Sequence, residues 1–246
     1  MDVTVLLNRI QEDVFSRADI YRYAIGLDTG FRETQMRYLL GRLLEDGAIV
    51  RVARNCYKKN QKSKEKFIYM PNYSEIANGL IHNMKKDFPL LDFRVWELCW
   101  MNEFLNHQIA HNKIFLEVEN VGCEFVYSKF TEDYEARILL RPSTKELFLY
   151  GIDNGIIIDR LISESPRGVP MFYNICLEKI IVDLFANKTL QSMISQGDYP
   201  MAITDMFDKY VIDQTKMFRY ARRRNRADII YYFLKEETDV EVLVEV

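Results

Sequence analysis

The chain is poor in the residues that build metal and redox sites. Of its 246 residues only three are histidine and four are cysteine. His107 and His111 are four apart, but no HExxH pattern surrounds them and no third ligand lies nearby in sequence, so a metal centre is not expected. Cys56, Cys99, Cys123 and Cys176 form no CxxC pair; three of the four sit in apolar contexts and read as core thiols of a reducing compartment. There is no P-loop, GxGxxG, GxSxG or deaminase pattern, which removes the common nucleotide-binding and hydrolase signatures. A signal-peptide pattern is missing, as is any apolar run near the roughly 18 residues that span a bilayer. The expectation is a cytoplasmic protein with no cofactor and no catalytic residue.

What is present is a large apolar fraction, 48%, and an uneven charge. The net charge is −3, yet residues 1–70 carry 13 Lys and Arg against 9 Asp and Glu, so the remainder is strongly acidic. Between Arg51 and Lys66 seven basic residues meet one acid, Glu65. A basic module of this kind suits contact with a polyanion; a solvated lysine-rich hairpin is the alternative.

The amino-terminal pattern predicts a short helix over residues 3–10, then a second one capped by Ser16 with Asp19 as its reciprocal partner and closed by Gly26. Met36, Leu39, Leu40, Leu43 and Leu44 recur at helical spacing and make one apolar stripe from about Glu33 to Glu45. Arg32, Thr34, Gln35, Arg37, Tyr38 and Arg42 surround that stripe. Gln35 is a candidate for an adenine edge and Arg32 or Arg37 for guanine, because each can match two groups on a base. Gly47 closes the helix, Ala48–Arg54 reads as a strand, and Asn55 turns the chain into Cys56–Lys58. A helix followed by a small basic hairpin predicts a winged helix-turn-helix, with Arg51, Arg54, Lys58 and Lys59 on phosphates and Lys62 and Lys64 as looser helpers. Tyr57 reads as a core residue at the base of that hairpin, with a phosphate contact as the alternative.

Beyond about residue 70 the chain alternates. Helices are predicted over Ser74–Lys86, Asn102–His107, Cys123–Phe130 and Leu177–Phe185. Strands are predicted at Phe67–Met70, Asp92–Trp96, Ile114–Glu119, Ala136–Leu140, Leu147–Tyr150 and Ile156–Leu161, with Gly151–Gly155 as a hairpin turn. This gives an α/β fold: a DNA-binding domain at 1–70, a mixed α/β domain at 71–200 and a helical region at 201–246 packed on the body. Arg219, Arg222, Arg223, Arg224 and Arg226 crowd one helix ending near Phe233 and Leu234, and suit an acidic partner protein or a second stretch of nucleic acid. A face salt-bridged to the acidic body is the other reading. Glu117 and Glu119 flank Val118 and so share a strand face, where Asp92, Asp153, Glu178 or Asp183 could join them at a divalent ion. The acid-x-Lys arrangement of metal-dependent nucleases is missing, since Asn120 and Val121 follow Glu119.

Several phrases carry a resemblance. They are Phe15–Ile20, Thr34–Gly47, Phe88–Glu97 with Leu105–Gln108, Leu177–Lys188, and Tyr220–Arg224. In these the chain resembles the AbiE-type antitoxin family, transcription-regulating antitoxins of type IV toxin–antitoxin and abortive phage-infection systems. The resemblance implies a winged-helix head that represses its own operon and a body that neutralises a nucleotidyltransferase-like toxin, so the implied partners are double-stranded DNA and a cognate toxin. It places Thr34, Gln35, Arg37 and Tyr38 on the DNA-facing helix and Arg51 and Arg54 on the wing, and carries over no catalytic residue. Two other classes stay open: a nuclease-like enzyme delivered to DNA, and a protein-binding adaptor.

Overall fold

The computed structural model describes residues 3–45, 47–59, 66–134 and 138–244. The expected positions Lys62, Lys64 and Ala136 lie outside them. The chain is a mixed α/β protein, with two sheets among the described residues. Among the described residues no helix is long and apolar enough to cross a membrane.

The first sheet belongs to the head. Helix α1 (Val3–Arg9), strand β1 (Val14–Ser16) and helix α2 (Arg17–Leu27) are followed by a 3-10 turn at Glu33–Gln35, helix α3 (Met36–Glu45), and strands β2 (Ile49–Ala53) and β3 (Cys56–Lys59). The three strands pair antiparallel in the order β1-β3-β2. Two local devices set these boundaries. Ser16 Oγ accepts the Asp19 amide while the Asp19 carboxylate accepts the Ser16 amide, so α2 starts there. At the end of α3, Gly47 sits at φ +63° and lets the Ala48 amide return to the Leu43 carbonyl, a conformation that costs glycine least. Leu6, Ile10, Phe15, Ile20, Ala24, Met36, Leu39, Leu43, Ile49 and Tyr57 then close a core of their own. Each fully buried aliphatic side chain contributes about 1.5–3 kcal/mol.

The second sheet is sandwiched. Strands β4 (Phe93–Glu97), β5 (Lys113–Val118), β6 (Ile138–Leu140) and β7 (Gly155–Arg160) lie in the order β4-β5-β7-β6, with β4 antiparallel to β5 and the other pairs parallel. Alternation along β5 distributes the two faces. Ile114, Leu116 and Val118 pack with helices α4 (Glu75–Asp87) and α5 (Cys123–Asp133). Phe115 and its stacked neighbour Trp96 pack with α7 (Leu177–Ala186), α8 (Lys188–Gln191), α9 (Tyr199–Lys209), α10 (Gln214–Arg223) and α11 (Ala227–Glu237). Residues on both sides of position 200 share that core.

Several expectations differ from the structure. Leu147–Tyr150 is not a strand but the end of helix α6 (Thr144–Tyr150), because Ser143 and Glu146 form a reciprocal cap that starts a helix, and Phe148 stays 89% exposed. Residues 151–155 are accordingly a helix-to-strand connection and no hairpin turn. Of Asn102–His107 only Asn102 and Glu103 are helical, as the end of a 3-10 stretch at Leu98–Glu103, and the rest is loop, so His107 and His111 share no helical face. Phe67–Met70 reduces to one bridge, Phe67 with Tyr210, which ties the head's exit to the body. The arginine-rich segment is two helices, since Ala221 collects the amides of Arg224 and Arg226 and Asn225 adopts φ 54° between α10 and α11.

Candidate nucleic-acid interface

Helix α3 presents its polar side outward because Met36, Leu39 and Leu43 are buried on the other. Thr34, Arg37, Tyr38, Gly41, Arg42 and Glu45 line one shallow depression on that outward side. Tyr38 is 77% exposed, so its ring and hydroxyl project from the helix. Four of the six candidate residues around this helix are therefore brought together. Gln35 is engaged locally, for its side-chain carbonyl accepts the Arg32 amide at 2.8 Å and holds the 3-10 turn that leads into α3. Arg32 is exposed beside it.

The hairpin is short and held at its tip. Asn55, at φ 59°, makes the turn, and its Oδ1 accepts the Arg17 amide at 3.1 Å, which fixes the turn against the start of α2. The Arg54 amide donates to Thr215 Oγ1 at the beginning of α10. The Arg54 side chain stays exposed, as does Arg51, whose Nε donates to the Ala53 carbonyl at 3.2 Å. Lys58 is half-buried. Lys59 is diverted, since its ammonium donates to the Ile10 carbonyl and ties β3 to the end of α1.

The carboxy-terminal arginines divide by direction. Arg219 and Arg222 are exposed on α10. Arg223 Nε donates to Ser163 Oγ at 2.6 Å, and Arg226 Nε donates to the Phe185 carbonyl at 2.8 Å. Arg224 turns inward, with Nη1 3.2 Å from Asp183 Oδ1 and 3.2 Å from the Tyr220 hydroxyl. Salt-bridging to the body thus accounts for part of the arginine cluster.

The acidic residues considered for a metal are dispersed. Glu119 is exposed beyond the end of β5, Asp92 pairs with Arg94 and Arg167, the Asp153 carboxylate accepts the Asn112 amide, and Glu178 accepts the Asp213 amide. Among the described residues no group of three His, Cys, Asp or Glu side chains is placed to hold a metal ion. Glu117 is different. It is buried against α7, where Lys179 Nζ donates to Glu117 Oε1 and to Asp183 Oδ2, and Trp96 Nε1 also reaches Glu117 Oε1. Burial pushes the Glu117 carboxyl above its ordinary range, with Lys179 opposing that rise. Lys179 is held charged between the two carboxylates despite its burial. The signal for this network is in the sequence: Lys179 and Asp183 are the i,i+4 polar pair of Leu177–Ala186, a helix apolar almost all round.

The molecule is a mixed α/β protein with a basic helix-and-hairpin head whose hairpin meets α10, and with an ion network buried between β5 and α7. The model of a family of unknown function, DUF6577, matches residues 35–240, and the chain belongs to that family. No curated protein matches the chain. Among solved structures it is similar to the RV2827C protein from Mycobacterium tuberculosis, with 11% identity over 97% of this chain and 81% of that one, and a TM-score of 0.23.

Proposed function

We propose that this protein is a DNA-binding transcriptional regulator whose head is a winged helix-turn-helix, with α3 as the reading helix and the β2–β3 hairpin as the wing. The observation that carries the reading is the common placement of Thr34, Arg37, Tyr38 and Arg42 on the outward side of α3, opposite the residues that bury it. Side chains of these types supply base-edge and phosphate contacts, and the exposed Arg51 and Arg54 add phosphate contacts from the hairpin. In this reading exposed Arg219 is a further phosphate contact, because it lies one turn along α10 from Thr215, the residue that meets the hairpin tip. The resemblance to AbiE-type antitoxins extends the reading to repression of the chain's own operon and neutralisation of a nucleotidyltransferase-like toxin by the body.

The test is a gel shift and footprint of the full chain on its own upstream region at fixed salt with Mg²⁺ present. A protected segment with intact strands is the expected result. Absence of binding at any salt would return the head to the adaptor reading, and strand breaks that vanish in E117A would return the body to the nuclease reading.

A further inference from the structure

Parallel strands β5 and β7 end side by side, with Glu117 opposite Asp159 and Val118 opposite Arg160. Open α/β sheets offer their ligand sites just outside such carboxyl ends. Here that position is a groove of about 790 Å³, continued by a recess of about 380 Å³; the two share Asn120, Leu161, Ile162 and Ser163. The larger volume is within the range of small-molecule sites, roughly 300–1,000 Å³.

The groove is built from charged groups with capacity left over. Arg160, Lys188, Arg223 and Arg224 line it, against the carboxylates of Glu117 and Asp159. Among the described residues the side chains of Arg160 and Lys188 make no hydrogen bond or ion pair, and Arg224 uses only Nη1, leaving Nε and Nη2. The recess supplies an independent observation. Arg94 and Ser165 both line it and are both more than nine-tenths buried. Arg94 Nε and Ser165 Oγ are the two buried side-chain polar atoms that lack any hydrogen-bond partner among the described residues. Leaving such groups unpaired is costly, and a ligand that pairs them recovers the loss.

We propose that this groove binds a phosphorylated small molecule of the sugar-phosphate class, nucleoside 5′-phosphates included. The phosphate faces the four cations of the wider part, where guanidinium and ammonium groups match its oxygens. The hydroxyl-bearing part enters the recess, where Asp92 and Glu119 can accept its hydroxyl protons and a small rotation of the lining side chains brings Ser165 Oγ and Arg94 Nε, both covered in the free protein, onto its oxygens.

The experiment is calorimetric titration of the full chain, at constant ionic strength, with the four common nucleoside 5′-monophosphates and ribose 5-phosphate, each beside its phosphate-free parent. At least one phosphorylated probe binds, its parent binds about tenfold or more weakly, and R160A/K188A weakens the phosphorylated probe by about tenfold or more. S165A separates ligand binding from folding: its hydroxyl has no partner to lose, so the melting temperature holds or rises while affinity falls several-fold. Failure of every probe to bind, equal binding of the parents, or unchanged affinity in both variants would overturn the proposal.

Discussion

Lys179 and Glu117, 62 positions apart, join across the interface between β5 and α7 through a buried ammonium–carboxylate hydrogen bond. The same ammonium reaches Asp183 one helical turn along, and Arg224 meets that carboxylate from its other oxygen, so Lys179 is the one cation that touches both buried carboxylates and the one ion-pair partner of Glu117 among the described residues. Replacing Lys179 by Met is expected to cost about 3–5 kcal/mol, because it strands charge without water. Urea unfolding at neutral pH measures this, and E117Q added to K179M should return part of the loss; a K179M protein as stable as the parent would refute the account.

Removing Arg51 and Arg54 together should lower the slope of log affinity against log salt by about 2 on any duplex, since each phosphate contact releases about one counterion. R219A should lower it by about 1 if α10 flanks the duplex. Thr34→Ala and Tyr38→Phe should instead change the preference among sequences more than the slope. Binding titrations at several salt concentrations distinguish these outcomes, and an unaltered slope in R51A/R54A removes the hairpin from the interface.

Substituting Ser16 by Ala should destabilise the head by about 1 kcal/mol at neutral pH through loss of the cap. The Ser16 amide and hydroxyl hold the Asp19 carboxyl below its ordinary range. A depressed carboxylate stabilises the fold above its unfolded value, about pH 4 for aspartate, and the contribution is lost as pH falls through the native value. The gap between S16A and the parent should therefore narrow in strong acid, as thermal melts across pH would record.

Thiol labelling should be ordered by burial. Cys123 and Cys176 are buried, and burial pushes the Cys176 thiol up to about 12, so it stays protonated at neutral pH. Cys56, half-buried on β3, should react first with a thiol reagent, and Cys176 should react only on unfolding. Rapid native labelling of Cys176 would contradict the packing around α7.

Much of this architecture is legible in the sequence where one periodicity or one cap dominates. The Ser16–Asp19 cap, the α3 stripe, Gly47 and the apolar run of β5 are local signals, and the structure places them as the sequence reads except that Leu44, at the edge of the stripe, is exposed. Leu147–Tyr150 misleads because four large side chains resemble a buried strand, while the decisive signal, Ser143 with Glu146, lies just upstream. The Lys179 network is only half visible: Asp183 can be named as a companion of Glu117, but the cation that joins them comes from a helix, and no spacing rule within the strand can supply it. Gln35 and Lys59 have the right chemistry for DNA, yet backbone groups engage them: Gln35 through a local bond from the Arg32 amide three residues back, and Lys59 through the distant Ile10 carbonyl, which only three-dimensional proximity reveals.

The contact of Arg54 with Thr215 bears on modularity. A basic head followed by a lysine-rich stretch invites the picture of an exchangeable reader on a tether. Yet the hairpin tip leans on α10, Lys66 donates to the Phe207 carbonyl, and Phe67 pairs beside Tyr210, so head and body share a seam. A head grafted alone onto another protein would leave its turn without the Thr215 acceptor. Transplanting this head intact means carrying the face of α10 along with it.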